Sequence, residues 1–188
     1  MKRAIEVLKS IEEIAETRFI PSIGPIKGRI LTDIINKYKP KNILEVGSLF
    51  GYSAILMALK SEAKITTIEI DKNNVEITKE NIKKAGYSNR INVIDGNAID
   101  VIPKLNNKID LLFLDAAKEQ YFAYLKLSEK NMEKGSIVVA DNAGIFEKSM
   151  KDFLEYVRKS GKYESETIKV PLEFHDNVYD AMEISVKL

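Results

Sequence analysis

Cysteine is absent from this 188-residue chain. Its absence excludes disulfides, thiolate metal sites and a thiol nucleophile, and it fits a reducing compartment. Histidine occurs once, as His175, and reads as a surface residue rather than a catalyst. Nowhere does the chain approach the roughly 18 consecutive apolar residues of a membrane span. An excess of either charge is also missing. At a net +1 there is no overall basic field of the kind that a nucleic acid or an anionic membrane demands. No repeat, linker or low-complexity tract interrupts the chain, so residues 1–188 read as one domain. Apolar residues at 45% and charged residues at 30% are ordinary for a soluble globular protein. The start, MKRAIEVLKSIEEIAE, has a basic tip, but charged residues break its apolar run. It is expected to be a helix rather than a signal peptide, in a cytoplasmic protein.

Apolar spacing gives the elements. Ala4, Val7, Leu8, Ile11, Ile14 and Ala15 share one helical face over 3–17. Two prolines and two glycines in FIPSIGPIKG end that helix, and a second runs over about 26–38. Then the rhythm changes. Segments 42–46, 64–70, 90–95, 109–115 and 135–141 read as strands, and four of them are apolar enough to be covered on both faces. INVID alternates more and belongs further from the centre. Helices are expected over about 51–60, 73–85, 98–106 and 118–131, with Asn73 and Glu76 as a capping box and Gly86 as a stop. Strands alternating with helices mean an α/β fold with a parallel sheet wrapped on both sides. After a helix at about 147–160, strands 163–170 and 177–188 have no helix between them and are expected to form an antiparallel hairpin.

Four constellations carry chemistry. In ILEVGSLFGYS a strand ends, Gly47 turns the chain and Gly51 opens a helix. Such a turn admits a ligand close to the backbone and offers free amides to an anion. It lacks both the dinucleotide G-x-G-x-x-G and the P-loop pattern, so on its own it is also just a tight turn. Glu69 lies 22 residues after Gly47 (69 − 47), close to the spacing of about 20 for an acid that holds a ribose. DGNA at 95–98 is a short loop that could cover a purine ring, or simply a turn.

The fourth is the most specific. Leu111 to Leu114 run straight into Asp115, and SIVVA runs into Asp141 and Asn142. Burying a carboxylate at the end of such a strand is costly unless something pairs with it. On neighbouring strands, two carboxylates and an amide would meet beyond the carboxyl ends of the sheet. A set of oxygen ligands suits a hard cation such as Mg²⁺ better than it suits helix capping. Lys118 would stand one turn beyond Asp115, where a nearby cation favours the neutral amine and so a base.

In this order the motifs resemble the cation-dependent S-adenosylmethionine O-methyltransferases of the catechol and caffeoyl-CoA type. LEVGSLFGYSA is similar to that family's cofactor loop, and LLFLDAAKEQY and VVADN to its metal motifs. The resemblance spans nearly the whole chain. It implies the class I methyltransferase Rossmann-like fold, a seven-stranded mostly parallel sheet whose last strand is antiparallel. It also implies that the N-terminal helices, 1–40, cover the site.

The same resemblance implies a role for each candidate residue. Gly47 and Ser53 meet the methionine end of the cofactor, Glu69 its ribose, and Ile70, Gly96 and Ala98 its adenine. Glu45, Asn97 and Asp115 complete the cofactor set. Asp115, Asp141 and Asn142 bind Mg²⁺ or another hard divalent cation, Lys118 is the general base, and Lys118 and Glu173 meet the substrate. Ala116 and Ala117 are small where relatives are bulkier or acidic, which implies a wider pocket. The expected reaction is methyl transfer from S-adenosyl-L-methionine to a hydroxyl of a small catechol-like acceptor with adjacent oxygens. Two other readings remain: a tRNA hydroxyuridine methyltransferase using lysines such as Lys37, Lys39 and Lys41, and a non-catalytic binding module. No membrane partner is expected. The N-terminal helix reads equally as a lid or as the face of a homodimer.

Overall fold

The computed structural model describes residues 1–18, 22–172 and 177–188. In chain order its elements are α1 (Lys2–Thr17), α2 (Gly24–Tyr38), β1 (Asn42–Val46), α3 (Tyr52–Lys60), β2 (Lys64–Glu69), α4 (Lys72–Ala85), β3 (Ile91–Asp95), α5 (Ala98–Val101), β4 (Ile109–Leu114), α6 (Tyr121–Ser128), β5 (Met132–Ala140), α7 (Lys151–Lys159), β6 (Tyr163–Pro171) and β7 (Tyr179–Lys187). The seven strands form one sheet in the order β3-β2-β1-β4-β5-β7-β6. β7 pairs antiparallel with both neighbours, and the other pairings are parallel. The expected seven strands and antiparallel last strand are therefore present, and INVID is an edge strand.

Alternation along the central strands builds two cores. Leu111 and Phe113 face the side covered by α1 to α4, while Leu112 and Leu114 face the side covered by α5 to α7. All four are fully buried, which is why the sequence reads as continuously apolar there. Burying each contributes roughly 1.5–3 kcal/mol relative to exposure. α1 contributes Ala4, Leu8 and Ile11 to the first core, an i, i+4, i+7 stripe. Sheet growth in one direction from β1 and then in the other from β4 leaves a switch point between these strands. Ligands of open α/β sheets bind beyond such a point.

Several boundaries differ from the sequence reading, each for a local reason. The cap of α4 is Asp71, whose side chain accepts from the amides of Asn73 and Asn74, so the expected Asn73–Glu76 box lies inside the helix instead. The helix expected over 98–106 is a single α turn that tightens to 3₁₀ at 102–104, around Pro103. Proline removes a helical donor and crowds the preceding turn. Residues 118–120 and 129–131 are 3₁₀ turns flanking a shorter α6. β5 starts early, with Met132 opposite Ile109, and shifts register before Ile137 pairs with Leu111. α7 begins at Lys151 rather than 147 because 141–150 form successive turns. Asp180 pins them by accepting from the amides of Gly144 and Ile145.

Candidate active site

Parallel register places the site. Leu114 pairs with Ala140 and Val46 with Leu114. The ladder runs one residue further, with the Asp115 amide on the Val46 carbonyl and the Asp141 amide on the Leu114 carbonyl. Asp115 and Asp141 thus leave the sheet side by side. Above them lies a cavity of about 1090 Å³, above the usual size range of small-molecule pockets. Gly47, Ser53, Glu69, Ile70, Gly96, Asn97, Ala98, Asp115, Lys118, Asp141 and Asn142 all line it, as the sequence reading requires. Glu45 does not line it, and Glu173 lies outside the described residues. Residues 15–18, 22, 23 and 27 reach the same cavity from α1, α2 and the chain between them.

The turn after β1 is held rigidly. Gly47 has φ +93°, and a Cβ there would come within 2.3 Å of the Asp115 carbonyl oxygen. Only glycine fits a positive φ at such an approach. Glu69 secures the turn from below. One carboxylate oxygen accepts from the Ser48 amide at 3.1 Å and the Leu49 amide at 2.8 Å, and the other from the Ile70 and Asp71 amides at 3.0 and 2.9 Å. Thr78 and Asn81 of α4 add bonds to the Leu49 and Phe50 carbonyls. A ribose diol at Glu69 must therefore share or displace bonds that hold the loop. Asn97 caps α5, its side chain accepting from the Ile99 amide.

Glu45 sits beneath this turn, fully buried. One oxygen accepts from the Ser53 hydroxyl, and Oε2 has no partner. Burial raises its carboxyl from the ordinary 4.5 to about 7, against the pull of Ser53. Ser53, which lines the cavity, stands between this carboxyl and the cavity, and the Thr67 hydroxyl acts on the same carboxyl.

The acidic end of the cavity is ordered by two lysines. Lys118 Nζ donates to Asp115 Oδ1 at 3.0 Å. Lys27 of α2 is only 5% exposed and lies 2.6 Å from Asp141 Oδ1 and 2.6 Å from Asp180 Oδ2. It reaches there because Gly28 lets α2 lie against α3, where a Cβ would meet Leu56 Cδ2 at 2.8 Å. Burial alone would lower the Lys27 pKa, but Asp141 and Asp180 overcome it and raise it. Burial, and then repulsion from Asp115, raises the Asp141 carboxyl even so. Tyr121 does not line the cavity and is fully buried. Burial, with Asp115 and Asp141 nearby, pushes that phenol well above its ordinary value.

Two carboxylates that leave adjacent strands side by side, with one amide beside them, fit a hard divalent cation by their donor chemistry. Among the described residues no cluster of three or more His, Cys, Asp or Glu side chains suits a metal. The residues that could hold one are Asp115, Asp141 and Asn142. Lys27 and Asp180 were missed by the sequence reading. A lysine on the apolar stripe that also carries Leu31 and Ile35 was the signal for Lys27. Asp180, inside an otherwise buried strand, was the signal for its partner.

The O-methyltransferase family profile matches residues 4–160. Catechol O-methyltransferase of Mus musculus is 33% identical over 96% of this chain and 71% of its own length. That of Sus scrofa is 33% identical over 87% of this chain and 91% of its own. An O-methyltransferase from Bacillus cereus, solved in complex with SAH, superimposes with a TM-score of 0.85 over 97% of this chain and 91% of that one, at 22% identity. That likeness establishes the shared fold.

Proposed function

The chain belongs to the O-methyltransferase family, and from that premise we propose that it moves a methyl group from S-adenosylmethionine to one hydroxyl of a small catechol-like acceptor with adjacent oxygens. The observation that carries this reading is the meeting of Asp115, Asp141, Asn142 and Lys118 in the same cavity that the Gly47–Glu69 turn lines. The catechol O-methyltransferases among its relatives support the acceptor class.

Asp115, Asp141 and Asn142 would hold a divalent cation, which when bound lowers the pKa of a coordinated hydroxyl. Ser53, backed by the buried Glu45, receives the methionine end of the methyl donor. Glu69 and the Ile70–Ala98 wall receive its nucleoside. Ile145 and Phe146 follow Asn142, line the cavity and leave apolar surface exposed for the body of an acceptor. Lys118 Nζ takes the acceptor's proton, working as a base once its bond to Asp115 is relaxed. Holding both oxygens of the acceptor fixes the attacking one in line with the methyl group, an orientational gain. Residues 15–17 of α1 and Arg18 after it line the same cavity, where they would shield the reacting groups from water. Glu173 remains assigned to the acceptor.

The test is transfer of labelled methyl from S-adenosylmethionine to a panel of catechols and to hydroxyuridine-containing tRNA, each with Mg²⁺ and with a chelator. Chelator-sensitive labelling of small catechols is expected. Labelling of tRNA alone would replace the acceptor, and labelling unaffected by the chelator would remove the cation.

A further inference from the structure

Resting on that cation reading, we propose that Lys27 is a positioning residue that sets which cation the site takes, by denying Asp141 a bidentate grip. The geometry is specific. Asp141 Oδ1 receives two donors, Lys27 Nζ at 2.6 Å and the Asn142 amide at 2.7 Å. Among the described residues nothing bonds Oδ2. Asp141 therefore has one oxygen to offer, not two.

Its neighbours are held as well, although Asp115 Oδ1 takes a single donor that leaves when Lys118 acts as the base. Lys118 occupies Asp115 Oδ1 at 3.0 Å. Asn142 donates Nδ2 to Asp180 Oδ2 at 2.8 Å. An ionised carboxylate only accepts, so this bond fixes the amide with its nitrogen towards Asp180 and leaves the carbonyl oxygen for the site. Asp180 can hold that orientation because it is itself saturated. Lys27 and Asn142 bond one of its oxygens, and the Gly144 and Ile145 amides the other.

One oxygen from each of the three residues would supply three ligands of a six-ligand set. Mg²⁺ and Mn²⁺ accept six ligands in octahedral geometry and keep water or substrate oxygens on the rest. Ca²⁺ takes six to eight oxygens at longer distance and is commonly gripped by a bidentate carboxylate. Lys27 removes that option at the most deeply buried ligand, Asp141, which is 3% exposed. Its ammonium also offsets one negative charge, so the site does not bind large cations by charge alone.

The experiment uses the chelator-treated full chain without acceptor. Mn²⁺ binding is followed by the electron paramagnetic resonance of the free ion, and Ca²⁺ is then titrated as competitor. Wild type is expected to prefer Mn²⁺ over Ca²⁺ at least tenfold. Lys27→Met should reduce that ratio about tenfold, whereas Lys27→Arg, which keeps a donor on Asp141, should retain it. The double variant Lys27→Met, Asp180→Asn removes the lysine without leaving Asp180 as an unpaired buried carboxylate and should also reduce the ratio. It serves as the readout if Lys27→Met does not fold, as judged by thermal melting without metal. An unchanged ratio in the folded variants would overturn the inference while leaving the cation site standing. Mn²⁺ binding that survives equally in Asp141→Asn, or that is absent in wild type, would overturn the cation reading and the inference with it.

Discussion

Glu45→Gln should stabilise the ligand-free protein, and by an amount that depends on pH. The buried carboxyl titrates at about 7 in the folded chain against an ordinary 4.5. The folded pKa is raised, so the folded state holds this proton more tightly than the unfolded state does. Below pH 4.5 both states are protonated and the group costs nothing. Between 4.5 and 7 the unfolded chain ionises first, and stability falls as pH rises. Above 7 the cost is constant. A difference of 2.5 units (7 − 4.5) at about 1.4 kcal/mol each corresponds to about 3 kcal/mol. Glutamine removes that term. Its oxygen can still accept from Ser53, and the amide nitrogen that replaces Oε2 can donate to the Thr67 hydroxyl, which otherwise has no partner. Thermal unfolding of both proteins at pH 5 and pH 8 is the assay. The variant should gain less than about 1 kcal/mol at pH 5 and about 3 kcal/mol at pH 8, roughly 6–12 °C in Tm for a domain of this size. It should also bind S-adenosylmethionine more weakly, because the carboxylate behind Ser53 is gone. An equal gain at both pH values, or a loss at pH 8, would refute the reasoning.

Two further substitutions separate the turn from the scaffold. Gly47→Ala forces a Cβ to 2.3 Å from the Asp115 carbonyl at a positive φ. It should cost about 3 kcal/mol or more in urea unfolding and abolish cofactor binding. Asp71→Ala removes the side chain that caps α4. It should cost about 1 kcal/mol, some 2–4 °C in Tm, and leave methyl transfer at the wild-type rate.

Most of the site was legible because it is built on strand ends. Once Leu111–Leu114 and Ile137–Ala140 read as buried parallel strands, the next residues of each had to emerge at the same edge, so Asp115 and Asp141 could be paired from spacing alone. Glu69 was legible for the same reason, although its four backbone bonds were not, since these depend on the path of the 47–51 turn. Lys27 and Asp180 lie 153 positions apart. No local pattern links a helix lysine to an aspartate in the last strand, and only the packing of α2 over β7 brings them together. Helix limits failed where a single side chain decides them. Asp71 outcompeted Asn73 because its carboxylate reaches two free amides, and Pro103 cut α5 to one turn. The meaning of Glu45 required depth, as its titration follows from burial rather than from its sequence neighbours.

The most direct test of the account is the initial rate of labelled methyl transfer to a small catechol, with Mg²⁺ titrated into wild type and Asp141→Asn, alongside S-adenosylmethionine binding by calorimetry. The account predicts a rate that saturates with Mg²⁺ in wild type and collapses at least a hundredfold in the variant, on the order expected when a group acting in the transition state is lost, with cofactor binding retained. Equal rates in the two proteins, or a wild-type rate indifferent to Mg²⁺, would contradict it.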